Sequence, residues 1–230
     1  MPTYRGVILD VDGTLVDSND AHAHAWVAAL AEHGVTVEFA QVRRLIGMGG
    51  DQLLPAVSGL EAESEEGQAI SERRGEIFKE RYLPTLNAFR DTRPLLVALV
   101  ERGLRLVVAS SAKADELGPL LEIVGAGDLI ESQTSADDAE RSKPEPDIVL
   151  AALRRLTMAP TEVVMLGDTP YDLQACQKAG VAMIGLRSGG WSEGDLAGTL
   201  AVYASPADLL AHLDESPLGQ GQGQRQAGRG

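Results

Sequence analysis

The 230 residues are 44% apolar and 23% charged, enough for one sizeable core or a core with a smaller insert, and unlike a wholly disordered chain. The 34 acidic against 20 basic residues leave a formal charge of −14, which argues against nucleic acid or an anionic membrane as a partner. Cys176 stands alone, no signal-peptide pattern is present, and no apolar stretch approaches the roughly 20 residues that span a bilayer; a cytoplasmic protein is expected.

The first element is a short apolar run at 6–9, read as a buried strand ending at Asp10. Amphipathic stretches follow, with helices expected at 20–33, 39–46, 51–57 and 64–82 and no strand among them. Strands and helices then alternate: helix 93–102, strand 104–109, helix 114–124, a short strand at 128–131, and a helix opened by Pro144 that runs to about 156. Strand 163–166, helix 171–179 stopped by Gly180, strand 181–186, a short strand at 201–202 and helix 206–213 complete the pattern. The tail 219–230 consists of Gly, Gln, Arg and Ala alone and is expected to be disordered.

Such alternation predicts an α/β fold, a parallel sheet with helices on both faces. Asp10 and Asp12, Ser110, Lys143 and Asp168 fall at or just beyond predicted strand ends, or in loops before helices. Ligands of open α/β sheets bind in the crevice beyond the carboxyl ends of the strands, so four separated segments are expected to converge there.

A carboxylate can attack phosphorus and divide one hard displacement into two easier ones. A second carboxylate two residues away can protonate the leaving oxygen and later take a proton from water. Lys143 offers a point charge, Ser110 a hydroxyl, and a Mg²⁺ held by oxygen ligands at Asp10 and Asp168 would neutralise phosphoryl charge. Each residue also has a plainer reading. An isolated Asp after a strand is more often a turn or cap, Asp12-Gly13 is an ordinary turn signal, and Ser110 and Ser111 could cap the next helix. Lys143-Pro144 could be a solvated loop, and Asp168 and Asp172 surface charges. All of these together at one sheet edge are much less ordinary than any one.

The run Asp10-Val-Asp-Gly-Thr-Leu-Val-Asp-Ser18 resembles the first motif of the haloacid dehalogenase-like hydrolase superfamily. Val107-Val-Ala-Ser110, Lys143-Pro-Glu-Pro-Asp147 and Gly167-Asp-Thr-Pro-Tyr-Asp172 match its other three motifs in order. The likeness is to the branch of phosphoglycolate phosphatases and β-phosphoglucomutases. It implies a Rossmann-like three-layer core at 1–17 and 90–214, an inserted α-helical cap at 18–89, and a disordered tail at 215–230. It also implies Asp10 as nucleophile, Asp12 as general acid/base, and Mg²⁺ on the side chains of Asp10 and Asp168 and the carbonyl of Asp12. Ser110 and Lys143 would hold phosphate, while Thr14 and Asp172 would support the metal site from behind. The second carboxylate, Asp12, sets the chain with the phosphoryl-transfer members rather than the dehalogenases.

In the implied cap, His22 and Trp26 lie four apart on one helix face. His22 matches a position that couples cap closure to the acid/base, or is a hinge histidine packed for structure. The turn around Gly47 and Gly49 could present backbone to the substrate; its glycines do not make a dinucleotide motif. Arg43 and Arg44 could read an anion or form a solvated helix end. The segment 88–93 lacks the Pro-Gly common at the cap's return, and Gly167 stands where some mutases carry an acid. The reading reached is a Mg²⁺-dependent phosphatase acting on a small phosphorylated metabolite through an aspartyl-phosphate. A sugar-phosphate phosphomutase is the alternative, and a receiver-like or silent phospho-binding module comes third. The sequence does not distinguish a monomer from a weak homodimer.

Overall fold

In the computed structural model, which describes residues 4–219, six strands make one parallel sheet. They are β1 (Gly6–Leu9), β2 (Arg105–Ala109), β3 (Ser132–Thr134), β4 (Val163–Gly167), β5 (Ala182–Leu186) and β6 (Ala201–Tyr203). Their order is β3-β2-β1-β4-β5-β6, so β1 is central and the chain winds outward from it in both directions. Ile8 pairs with Val107 on one side and Met165 on the other. The two-residue period of a strand then divides the core. Val7, Leu9, Val164 and Leu166 join one apolar cluster; Ile8, Val107, Val163 and Met165 join the other. Both faces are buried, as a parallel sheet requires.

Four helices intervene between β1 and the rest: α1 (Asn19–Glu32), α2 (Phe39–Arg43), α3 (Gly50–Ser58) and α4 (Glu65–Ile77). The remaining five are α5 (Thr92–Glu101), α6 (Ala114–Val124), α7 (Asp147–Leu156), α8 (Pro170–Ala179) and α9 (Pro206–Ala211). Helices α7 and α8 cover one sheet face through Ile148, Ala152 and Leu173. Helices α5, α6 and α9 cover the other through Leu95, Leu117 and Leu209. The expected three-layer α/β fold is therefore present.

Several expected elements differ. Residues 128–131 are not a strand; the edge strand β3 follows them, and its polar Ser-Gln-Thr sequence carries no apolar signal. Thr134 is nevertheless buried, and its hydroxyl is satisfied by donating to the Val108 carbonyl at 2.9 Å. Pro144 does not open α7: residues 144–146 turn first, and the Glu145 N–H donates to the Ser142 carbonyl. Helix α2 stops at Arg43, short of 46. The long helix expected at 64–82 is α4, capped by Ser64, continued by a π-helical turn at Phe78–Tyr82. Residues 215–219, assigned to the tail, pack instead. Ser216 is buried with its hydroxyl donating to Leu213, and Leu218 joins the core. The tail residues 220–230 lie outside those described.

The helical block leaves and rejoins the sheet by two adjacent segments. Val16 and Ala88 form an antiparallel bridge, the Asp17 N–H donates to Asn87, and the Phe89 N–H donates to Leu15. The return lacks glycine, and the turn is made by Asp91, whose φ of 60° lies in the left-handed region that Asp tolerates better than most residues.

Candidate active site

The carboxyl ends of β1, β2 and β4 place Asp10, Ser110 and Asp168 around one crevice, and the loop before α7 brings Lys143 into it. Lys143 is buried. Its Nζ donates to Asp10 Oδ1 at 2.6 Å and to the Ala109 carbonyl at 3.1 Å, and lies 2.7 Å from Asp172 Oδ1. Burial disfavours its charge, yet the carboxylates of Asp10 and Asp172 outweigh this and hold it firmly protonated. Asp172 closes the α8 capping box. Its Oδ2 accepts from the Thr169 N–H and hydroxyl, while Thr169 Oγ1 accepts from the Asp172 N–H. An added Cβ on Gly167 would sit 2.9 Å from Asp172, so glycine at that position permits the carboxylate's close approach.

Carboxylate oxygens of Asp10, Asp168 and Asp172 lie within 4.8 Å of one another. Asp168 is fully buried; Thr14 donates to its Oδ1 at 3.1 Å and Asn19 to its Oδ2 at 3.0 Å. Burial and the Asp10 and Asp172 charges nevertheless raise its pKa well above 3.8. Burial also pushes Asp10 up to about 7, with Lys143 opposing and Asp172 and Asp12 adding to the rise. Three buried carboxylates thus lie together, and the one ammonium among them pairs with Asp10 and Asp172. An all-oxygen donor set with excess negative charge suits a hard divalent cation, and the residues present fit one.

Asp12 lies two residues on, half-buried. Burial raises its pKa, but the His22 charge and hydrogen bonds from His22 and Ser18 outweigh that and hold it below its ordinary value. His22 Nε2 is 2.8 Å from Asp12 Oδ1, and its ring stacks on Phe78 with centroids 3.9 Å apart. Asp12 is therefore gripped by one residue from α1 that is itself held by the turn after α4.

Over Asp10 and Asp12 lies a cavity of about 50 Å³, roofed by His22, Trp26, Ile46, Gly47, Met48, Gly50 and Arg74 of the helical block and floored by Ser111, Ala112 and Glu116. Ser110 is fully buried, and its hydroxyl oxygen accepts the Ala112 N–H at 3.0 Å. The neighbouring Ser111 hydroxyl is buried without a partner and lines the cavity. Gly47 reaches the cavity wall with φ of 108°, and a Cβ there would meet Thr169 at 2.5 Å. A Cβ on Gly49 would meet Ser142 at 2.0 Å. These glycines let the block approach the two loops that carry Asp168 and Lys143. Arg43 and Arg44 turn elsewhere. Arg43 binds Asp20 and the Gly189 carbonyl, while Arg44 stacks on Trp191 at 4.5 Å and lies 3.9 Å from Asp195.

Sequence reasoning missed Asn19, Ser18, Arg74 and Glu116. Asn19 and Ser18 sit at the start of α1, where a cap is the default reading and neither caps by its side chain. Arg74 and Glu116 are separated by 42 positions, and no periodicity links them.

Comparisons with known proteins agree with this arrangement. The family model described as haloacid dehalogenase-like hydrolase matches residues 7–186. A phosphoglycolate phosphatase of Rhodospirillum rubrum is 32% identical over 215 residues, covering 89% of each chain. The crystal structure of a hydrolase from Pseudomonas syringae is 31% identical, superposes with a TM-score of 0.85 and covers 92% of this chain and 98% of its own. A β-phosphoglucomutase structure from Clostridium difficile shares the fold at 19% identity and a TM-score of 0.78, covering 93% and 96%. The chain belongs to the haloacid dehalogenase-like hydrolases, and its place among them is with the phosphatases.

Proposed function

We propose that the protein hydrolyses a small phosphorylated metabolite through a phosphorylated Asp10, with Mg²⁺ held by Asp10, Asp168 and the Asp12 carbonyl. The observation that carries this is the cluster in which one lysine and two further buried carboxylates, Asp168 and Asp172, surround an Asp10 that lines the cavity. Bound there, the cation would screen the charge of the phosphoryl oxygens and hold Asp10 ionised at neutral pH. Lys143 supports the same end through its hydrogen bond to Asp10 Oδ1.

An Asp10 oxygen attacks phosphorus as the bond to the leaving oxygen breaks, and Asp12 gives that oxygen its proton. His22 Nε2 lies 2.8 Å from Asp12 Oδ1 and would orient the carboxyl that hands the proton over and later takes it back. Water then attacks the phosphorus; Asp12 takes its proton, the Asp10–phosphorus bond breaks, and inorganic phosphate leaves. Ser110 and Lys143 position the phosphoryl group, with the unpartnered Ser111 hydroxyl beside it.

The block 18–89 acts as a cap. A cavity of about 50 Å³ is far below the 300–1,000 Å³ typical of ligand pockets, so a substrate gets in only when the block swings away from Thr169 and Ser142. With Arg43 and Arg44 spent elsewhere, no basic cluster among the described residues faces the cavity to grip a second phosphate, which favours hydrolysis over mutase turnover. Lone, buried Cys176 fits a reducing cytoplasm, and among the described residues no helix is long and apolar enough to cross a membrane.

Phosphate release from p-nitrophenyl phosphate tests the proposal. Activity should require Mg²⁺, vanish with a chelator and vanish in Asp10→Asn, and quenched turnover should leave phosphate on Asp10 by mass spectrometry. Full turnover in chelator or in the variant would sink it.

A further inference from the structure

Among the described residues, Arg74 is the only lysine or arginine lining the cavity over Asp10. It comes from α4 in the helical block, and its guanidinium lies over the Trp26 ring at 5.2 Å. Its Nη1 donates to Glu116 Oε2 of α6 at 2.7 Å, with both side chains buried, 9% and 2% exposed. The pair cancels its own charge across the junction between block and core. Arg74 Nε is buried without a partner, a donor still free to bond.

A larger cavity of about 440 Å³ shares Gly50, Arg74 and Ser111 with the one over Asp10. Its walls carry the carboxylates of Asp51, Glu63, Glu72, Asp137 and Glu140 against the single added cation Lys113. A cleft lined by one sign of charge focuses its field and disfavours ligands of the same sign. An anionic group moving past Arg74 would therefore cross a negative cleft and meet a guanidinium already neutralised by Glu116. A hydroxyl oxygen meets no such opposition and accepts the free Nε–H.

Resting on the phosphatase reading above, we propose that Glu116 restricts the enzyme to phosphomonoesters with uncharged leaving groups, hydroxyl-bearing ones favoured, and excludes leaving groups that carry a carboxylate or second phosphate. Glu116 is a positioning residue acting through Arg74. Arg74 Nε is the contact to the leaving group.

Glycerol 1-phosphate and 2-phosphoglycolate, similar in size and different in leaving-group charge, provide the test. With Mg²⁺, the wild type should favour glycerol 1-phosphate by at least tenfold in kcat/KM. Glu116→Gln, which leaves Arg74 charged and unpaired, should move that ratio at least tenfold toward 2-phosphoglycolate. The double variant R74Q/E116Q, neutral again, should return to the wild-type order. A wild-type preference for 2-phosphoglycolate, an unmoved ratio in E116Q, or a double variant that keeps the E116Q ratio would overturn the proposal. Should E116Q fail to fold, Arg74→Gln carries the test in the opposite direction. Uncovering the Glu116 charge must lower the relative rate on 2-phosphoglycolate tenfold further, and an unchanged ratio overturns the proposal. Wild-type protein inert toward p-nitrophenyl phosphate overturns the phosphatase reading itself, and this proposal with it. Activity on that ester with the wrong leaving-group preference overturns the proposal alone.

Discussion

Asp10→Asn should make the metal-free protein more stable at pH 8 while abolishing turnover. Asp10 is buried, and its folded pKa is raised from 3.8 to about 7 by burial and by Asp172 and Asp12, despite Lys143. A carboxyl raised in the folded state contributes stability below its unfolded pKa that is lost as the pH climbs through its folded pKa. The window is therefore pH 4 to 7, and ionising Asp10 above it costs up to about 4 kcal/mol at 1.36 kcal/mol per tenfold change in proton affinity. Asparagine keeps the shape, still offers Lys143 an acceptor and never ionises. At 2–4 °C per kcal/mol for a chain of this size, the variant should melt roughly 8–16 °C higher than wild type at pH 8 in chelator. At pH 4 the two should nearly coincide. Calorimetric melts at both pH values read the difference. A variant that melts below wild type at pH 8, or a difference that does not change with pH, would refute the reasoning.

Two further outcomes follow from the same geometry. Asp12→Asn should slow hydrolysis of an alkyl phosphate by about 10²–10⁴-fold and of p-nitrophenyl phosphate far less, because only the poor leaving group needs the proton; equal losses on both substrates would remove Asp12 from the acid role. Gly49→Ala puts a methyl group 2.0 Å from Ser142 Oγ in the closed arrangement. It should lower kcat/KM at least tenfold with circular dichroism unchanged, and wild-type kinetics would show that this contact does not form during turnover.

Much of the fold was legible because its signals are local. Apolar runs at 6–9 and 163–166 are followed within two residues by aspartates, so the strand and the residue it delivers are read together. The edge strand β3 was misplaced because Ser132, Gln133 and Thr134 are polar, and pairing with β2 rather than composition makes them a strand. Residues 215–219 were placed in the tail for a related reason: Leu218 gains its burial from the core, which a polar, glycine-rich neighbourhood hides. In the site, Asp10, Asp12, Lys143 and Asp168 came from ordered motifs, and the structure gathers them around one crevice. Arg74 and Glu116 had no such mark. Their pairing exists only because α4 closes over α6, and neither composition nor spacing encodes that event. Arg43 and Arg44 illustrate the converse, since basic residues beside a glycine-rich turn are drawn to Asp20, Gly189 and Trp191.

The bridge between Val16 and Ala88 places the two ends of the helical block side by side. A segment whose ends meet in this way behaves like a cassette. It can be lengthened, trimmed or exchanged while the register of β1 with β2 and β4 stays fixed, as with insertions at paired loop ends. The residues that meet the leaving group can then change as a unit, and the aspartates that face phosphorus need not move.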